Sequence, residues 1–138
     1  MRRLLKFLHT IGAIGLMGAM ASLLALMSRA PQSTPAGEAI IRSAMADIIA
    51  WLALPSLVLT LIAGLLAIAF NRAYHNAGWA WVKLATGTLM FEGMLGVQSA
   101  TLTQERGDGR GALLVLLAVA AANVALGVWR PRLTRIPD

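Results

Sequence analysis

The sequence predicts an all-α protein, a bundle of four transmembrane helices with both termini in the cytoplasm. Of its 138 residues, 58% are hydrophobic and only 13% are charged, which is too few charges to cover the surface of a soluble domain. Four apolar stretches each have about the 20 residues that a helix needs to cross a hydrocarbon layer of about 30 Å. Basic residues are concentrated in alternate connections between these stretches. The length is that of a single domain, residues 1–138.

The predicted spans are residues 7–27, 48–70, 78–102 and 111–129. Backbone groups inside a bilayer must pair within their own segment, so each span is expected to be a helix. The first span follows Met1-Arg2-Arg3, as a signal peptide would. Its apolar run is longer than a typical signal core, and no small-x-small cleavage site closes it, so it is interpreted as a true span.

The second helix is expected to start before its membrane span. Thr34 followed by Pro35 is typical of a helix N-terminus, which predicts that residues 35–47 extend this helix outward. Pro55 lies further along and lacks a backbone donor, so a kink toward the bundle interior is expected there.

The distribution of basic residues predicts the orientation. One side of the membrane receives seven of them, Arg2, Arg3, Lys6, Arg72, Arg130, Arg132 and Arg135. The other side receives four, Arg29, Arg42, Arg106 and Arg110. Because basic residues resist translocation, the side with seven is predicted to be cytoplasmic.

Composition also excludes several classes of function. The chain has no cysteine, so it has no disulfide framework, no Cys-based zinc or iron–sulfur site and no thiol nucleophile. The chain has a net charge of +6, but its basic residues do not form a patch with interleaved aromatic residues. No nucleic-acid partner is therefore expected, whereas contact with membrane lipid is expected.

Two ionisable side chains are predicted to lie at a similar depth near the cytoplasmic end, His9 in the first span and Lys83 in the third. Inside a bilayer such groups need a partner, a wet cavity or a function. His9 is either an interfacial side chain capped by water or an axial ligand of haem iron. Lys83 either extends its ammonium to the headgroups or serves a site in the bundle.

Glu92 is the third ionisable residue inside the spans, about 13.5 Å deeper than Lys83 and on roughly the opposite face of the same helix. Two interpretations remain open for it. Either its carboxyl is protonated, or it faces a polar seam that includes Gln98, Ser99 or Asn123.

Glycines provide space in the first and third spans, at Gly12, Gly15, Gly18, Gly87, Gly93 and Gly96. They allow close helix packing within the bundle or in a homo-oligomer, and they would equally make room for a flat macrocycle. In the cytoplasmic connection, Arg72 has the geometry to hold a carboxylate. His75 is either a solvated loop residue or a neighbour of whatever lies at His9.

Three segments carry a family resemblance. Residues 5–12 (LKFLHTIG), the pattern R…LP…LTL…GL over residues 42–65, and residues 78–84 (GWAWVKL) resemble the HemJ-type protoporphyrinogen IX oxidases and their small tetraspan relatives. The number of spans and the loop lengths fit as well, so the resemblance covers most of the chain. Two segments depart from the family pattern: Phe91-Glu92-Gly93 stands where family members often have an aromatic-His-Gly, and residues 28–31 read SRAP.

The resemblance implies a multi-pass protein of the bacterial inner membrane that binds haem b and oxidises protoporphyrinogen IX to protoporphyrin IX. It implies that His9 ligates the iron or contacts the tetrapyrrole. It also implies that Trp79, Lys83 and Arg72 contact the tetrapyrrole, with Lys83 and Arg72 pairing with propionates or moving protons. The electron acceptor would be a quinone or another member of a respiratory chain.

A second class of function remains open, a non-catalytic tetraspan subunit that stabilises or assembles a larger membrane complex. A copper-handling protein or transporter is disfavoured, because Met17, Met20 and Met27 lie on one helix at spacings that suit packing.

Overall fold

The computed structural model describes residues 2–30, 34–71, 75, 77–103 and 109–129. These residues form four helices and no strand. The helices are α1 (Arg2–Arg29), α2 (Pro35–Ala69), α3 (Gly78–Thr103) and α4 (Gly109–Trp129). The predicted all-α class and the predicted number of helices are therefore confirmed.

Three of the four helices are long and apolar enough to cross a membrane, over Arg3–Arg29, Pro35–Ala69 and Arg110–Trp129. The third helix, α3, has 26 residues and is therefore about 39 Å long. It is not among the three because polar side chains, including Glu92 and Gln98, interrupt its apolar sequence. The length and hydropathy of the helices thus support three of the four predicted membrane spans.

The start of α2 follows the prediction made from Thr34 and Pro35. The Thr34 hydroxyl oxygen accepts a hydrogen bond from the Gly37 backbone N–H at 3.2 Å, and Pro35 is the first helical residue. The first turns carry an i,i+4 ion pair between Glu38 and Arg42. Residues 35–47 are helical, as expected.

The irregularity expected at Pro55 takes the form of a wider helical turn. Residues Ile49–Ala53 form a π-helical turn, and the Leu54 N–H donates to the Ile49 carbonyl instead of to the carbonyl four residues back. Pro55 follows directly and donates no backbone hydrogen bond. The extra residue in this turn therefore lies at the point where the proline interrupts the regular hydrogen-bond ladder.

Consecutive helices pack as neighbours around a ring, and α1 also contacts α4. Among the described residues, α1 and α3 make no backbone approach, so they lie across the diagonal. Gly12 and Gly15 of α1 face Thr60 and Ser56 of α2, in that order, which makes the two helices antiparallel. Between α3 and α4, Lys83 contacts Gly127 and Gly93 contacts Leu116, so residue numbers rise along α3 as they fall along α4. The helices α3 and α4 are therefore antiparallel too.

This register divides the bundle into two halves. The His9 half comprises residues 2–12, 60–69, 78–87 and 123–129, and the apolar half comprises residues 16–29, 35–57, 90–103 and 109–120. The described ends of α1 and α4, Arg2 and Trp129, lie at the same end of the bundle. The large fully buried side chains all belong to the apolar half, and they are Met20, Leu23, Ile49, Leu57, Met94 and Leu113.

Candidate functional site

His9 is held by the backbone of the neighbouring helix α2. Its Nδ1 lies 2.9 Å from the Thr60 carbonyl oxygen, and because a carbonyl only accepts, Nδ1 carries the proton and donates. The lone pair of the neutral ring is then on Nε2. A side chain at Gly64 would place its Cβ 3.7 Å from the ring, so the imidazole packs flat against this turn of α2.

The close approach of α1 and α2 explains how an imidazole reaches a backbone carbonyl. The Cβ of an alanine at Gly12 would lie 2.7 Å from the Ser56 carbonyl oxygen and would overlap the Thr60 hydroxyl. At Gly15 it would overlap the Ser56 hydroxyl. These two glycines therefore bring the backbones together, which is the packing role that one of their interpretations predicted.

Lys83 enters the same half of the bundle from the diagonal helix α3. Its ammonium nitrogen lies 2.7 Å from the position that a Cβ at Gly127 would occupy, so the missing side chain on α4 provides its space. Lys83 is half-buried and close enough to His9 to interact with it electrostatically. The structure thus brings His9 and Lys83 together at one end of the bundle, although their helices do not touch.

A pair of polar side chains that the sequence interpretation did not connect lies one turn beyond Lys83. The Thr86 hydroxyl donates to Asn123 Oδ1 at 2.9 Å, and Asn123 Nδ2 lies 3.9 Å from Met90 Sδ. This bond crosses the interface between α3 and α4. The sequence offered one signal for this pair. Thr86 lies three residues after Lys83, and Asn123 is the single amide side chain in a largely apolar helix.

Glu92 is not part of that interface, and the expectation of a polar seam with Asn123 is wrong. Glu92 is exposed on the outer surface of α3, whereas Asn123 of α4 bonds Thr86, which lies on the side of α3 that faces α4. The helical period separates them, because Thr86 and Met90 share one face of α3 and Glu92 lies on another.

Two more of the predicted residues, Trp79 and His75, lie at or near the mouth of the His9 half. Trp79 is half-buried in the first turn of α3, one turn before Lys83. Arg72 lies outside the described residues. His75 Nε2 donates to the Ile68 carbonyl at 3.0 Å, and the Trp81 indole donates to the His75 carbonyl at 2.9 Å. His75 is exposed in the connection, and these two hydrogen bonds tie the end of α2 to the start of α3.

A shallow hollow of about 470 Å³ lies on α4, lined by Ala122, Ala125, Leu126 and Trp129. Its volume is in the range of small-ligand pockets, but its walls carry no ionisable group. His9 and Lys83 do not line it.

The donor set can be compared with what a haem iron needs. An iron-ligating imidazole usually donates its other ring nitrogen to a carbonyl or carboxylate, and His9 has this arrangement with Thr60. Within the described ranges, no group of three His, Asp or Glu side chains could hold a bare metal ion. The residues therefore fit a single axial imidazole beside a cation, and they do not fit a multi-ligand metal centre.

Comparisons with protein-family models, with curated proteins and with solved structures found no match to this chain.

Proposed function

We propose that this chain is a haem b-binding protein of the bacterial inner membrane whose His9 half is a tetrapyrrole site, with an activity of the protoporphyrinogen IX oxidase type. One observation carries the proposal. His9 is fixed by its Nδ1 hydrogen bond to the Thr60 carbonyl, which leaves Nε2 as the ligating atom, and a lysine ammonium lies within electrostatic range.

The side chains divide the work as follows. His9 would hold the iron through Nε2, and Lys83 would neutralise a propionate or take up a proton released from the substrate. Arg72 would hold the second propionate in a bidentate manner, and Trp79 would pack against the macrocycle near the mouth. Haem would supply the electron-transfer chemistry that no side chain of this chain supplies, with a membrane quinone or a respiratory-chain component as the electron acceptor.

The same proposal places all four helices across the membrane with both termini in the cytoplasm. The packing of α3 between α2 and α4 supports its crossing, since its neighbours on both sides are apolar enough to span. The common end of Arg2 and Trp129 supports the orientation, because Arg2, Arg3 and Lys6 lie at the end of the bundle where α4 ends, and the sequence after Trp129 is rich in arginine.

The absence of native cysteine makes this topology directly testable. With an impermeant maleimide added to intact cells, Thr34→Cys should be labelled and Arg3→Cys should be labelled only after lysis. The opposite pattern would reverse the orientation, and labelling of both variants in intact cells would contradict a common cytoplasmic end for the termini.

Haem binding is tested on protein purified in detergent from haem-replete cells. The wild type should show the Soret band of a bound b haem, and His9→Ala should lose it. Thr10→Ala is the matched control, since this neighbouring hydroxyl is exposed and bonds only the Lys6 carbonyl of its own helix. A colourless wild type, or a Soret band that persists in His9→Ala, would remove the haem proposal.

Activity requires a second measurement. The gene should restore growth of cells that lack their protoporphyrinogen oxidase, and Lys83→Ala should abolish rescue at a normal protein level in the membrane. Failure of the wild type to rescue would remove the enzymatic proposal even where haem is bound.

A further inference from the structure

The outer face of α3 carries an ionisable side chain that the site above does not use. We define this outer face as Ala85, Thr88, Glu92, Gly96 and Ser99, all of which are exposed. Glu92 forms no hydrogen bond or ion pair with any residue that the structure describes. At Gly96, no other side chain or helix comes within 4 Å of the position that a Cβ would take.

The depth of Glu92 follows from its position relative to α4. This helix is apolar enough to span the membrane from Arg110 to Trp129, so its middle is near Ala120. Asn123 is level with Thr86 and Leu116 is level with Gly93, which places the middle of the span level with about residue 90 of α3. Glu92 is two residues further along, about 3 Å from the centre of the membrane.

Three exposed hydroxyls in the helices satisfy themselves within their own helix, whereas the Glu92 carboxyl has no such bond. The hydroxyls of Ser22, Thr88 and Ser99 each donate to a carbonyl of their own helix, at 2.9, 3.0 and 2.9 Å. A carboxyl group in the helical middle has no such backbone donor, because every N–H there is already used by the helix. A carboxyl facing lipid at this depth is unfavourable, and intramembrane ionisable residues usually face protein or water.

We propose that the outer face of α3 is the contact surface for a second copy of this chain, and that the Glu92 carboxyls of the two copies meet across a twofold axis along the membrane normal. Two copies inserted in the same direction place Glu92 at the same depth, and a twofold axis sets identical residues opposite each other. A protonated carboxyl donates one hydrogen bond and accepts others, so the pair satisfies itself.

The flanking residues and the charge distribution favour a second copy as the occupant. Thr88 and Gly96 lie one turn before and one turn after Glu92, and small residues at this spacing let two helix backbones approach closely in lipid. In the described parts of α2 and α4 no ionisable residue lies at this depth. A second copy in the same orientation therefore offers Glu92 itself as the matching group. This inference rests on the four-crossing arrangement proposed above and is independent of haem binding.

Cross-linking tests the contact in native membranes, because the chain has no cysteine of its own. Under mild oxidation with copper phenanthroline, Gly96→Cys should give a disulfide-linked dimer. Ser22→Cys, exposed at a similar depth on the diagonal helix α1, should give at least tenfold less. Equal cross-linking at the two positions, or none at Gly96, would overturn the proposal.

Stoichiometry tests the role of the carboxyl. Fluorophore-labelled wild type in lipid bilayers should bleach in two steps, and Glu92→Leu should shift the population to one step, with at least a tenfold loss in the dimerisation constant. Glu92→Gln retains a donor and an acceptor and should remain dimeric, while Ser22→Leu serves as the surface control. Circular dichroism should show unchanged helix content in every variant.

Three results would overturn the assignment: a monomeric wild type at all protein-to-lipid ratios, a fully dimeric Glu92→Leu, or an equimolar complex with a different protein at this face. None of them affects the Soret measurement, so failure of this inference is distinguishable from failure of the proposed function.

Discussion

The His9 half and the apolar half are built from the same four helices, yet they fill the centre of the bundle in different ways. In the apolar half, large side chains such as Met20, Leu23 and Leu113 are completely buried. In the His9 half, the buried positions are mostly small, at Gly12, Ala63 and Ala80. Two polar side chains, His9 and Lys83, occupy the remaining space and are only half-buried.

This difference in packing agrees with the proposed placement of the site in the His9 half. Close packing of large apolar side chains gives the apolar half its stability. The His9 half departs from such packing, and departures from the rules of stable packing are expected where a molecule has a site. Substitutions that distinguish the two halves can therefore test the assignment.

The largest expected effect is in the apolar half. Leu113→Ala removes a fully buried side chain and should lower the free energy of unfolding by about 2–5 kcal/mol, since the cavity it leaves is only partly refilled. Unfolding by a denaturing detergent, followed by circular dichroism, measures this loss. Leu114→Ala is the matched control, because Leu114 is 51% exposed and its truncation should cost far less. A similar loss of unfolding free energy in Leu113→Ala and Leu114→Ala would contradict the burial of Leu113 in the core.

A smaller loss is expected where α1 and α2 make their closest approach. Gly12→Ala places a Cβ 2.7 Å from the Ser56 carbonyl oxygen, which is backbone and cannot move aside locally, so a cost of about 1–3 kcal/mol is expected. Gly18→Ala meets no atom within 4 Å and should be neutral or slightly stabilising. Equal stabilities of these two variants would mean that α1 and α2 do not approach closely at Gly12.

The hydrogen bond between Thr86 and Asn123 should contribute less again. In a double-mutant cycle with Thr86→Val and Asn123→Leu, the coupling energy should be about 0.6 kcal/mol, the average for such bonds between transmembrane helices. A coupling energy of zero would place the two side chains apart in the membrane.

Gly127→Ala should have the smallest effect on stability and a clear effect on the site. The new Cβ would occupy space beside the Lys83 ammonium, and because this is the end of a flexible side chain, the free energy of unfolding should change by less than about 0.5 kcal/mol. Tetrapyrrole affinity, measured by absorbance titration, should fall relative to Gly64→Ala, whose Cβ would make only ordinary contact with His9. Equal tetrapyrrole affinities of Gly127→Ala and Gly64→Ala would mean that Lys83 does not contact the ligand.

The sequence alone predicted much of this architecture, but it left some side-chain positions open. The helix start at Thr34 and Pro35 was predictable because capping depends on adjacent residues. The glycines at positions 12 and 15 suggested close packing, whereas the pairing of Thr86 with Asn123 did not follow from either helix alone. Pro55 predicted an irregularity in α2 but not the π-helical turn that precedes it, because the adjustment of the hydrogen-bond ladder depends on the packing of the whole turn.

Hydrophobicity, charge asymmetry and helix-start signals are local properties, so the primary structure determined that the described part of the chain forms four long helices and roughly where they begin and end. Which face each helix turns inward is decided by contacts between helices, and no single helix contains that information. For this reason only the tertiary structure showed that His9 and Lys83 converge from diagonal helices, and that Glu92, on the same helix as Lys83, faces outward.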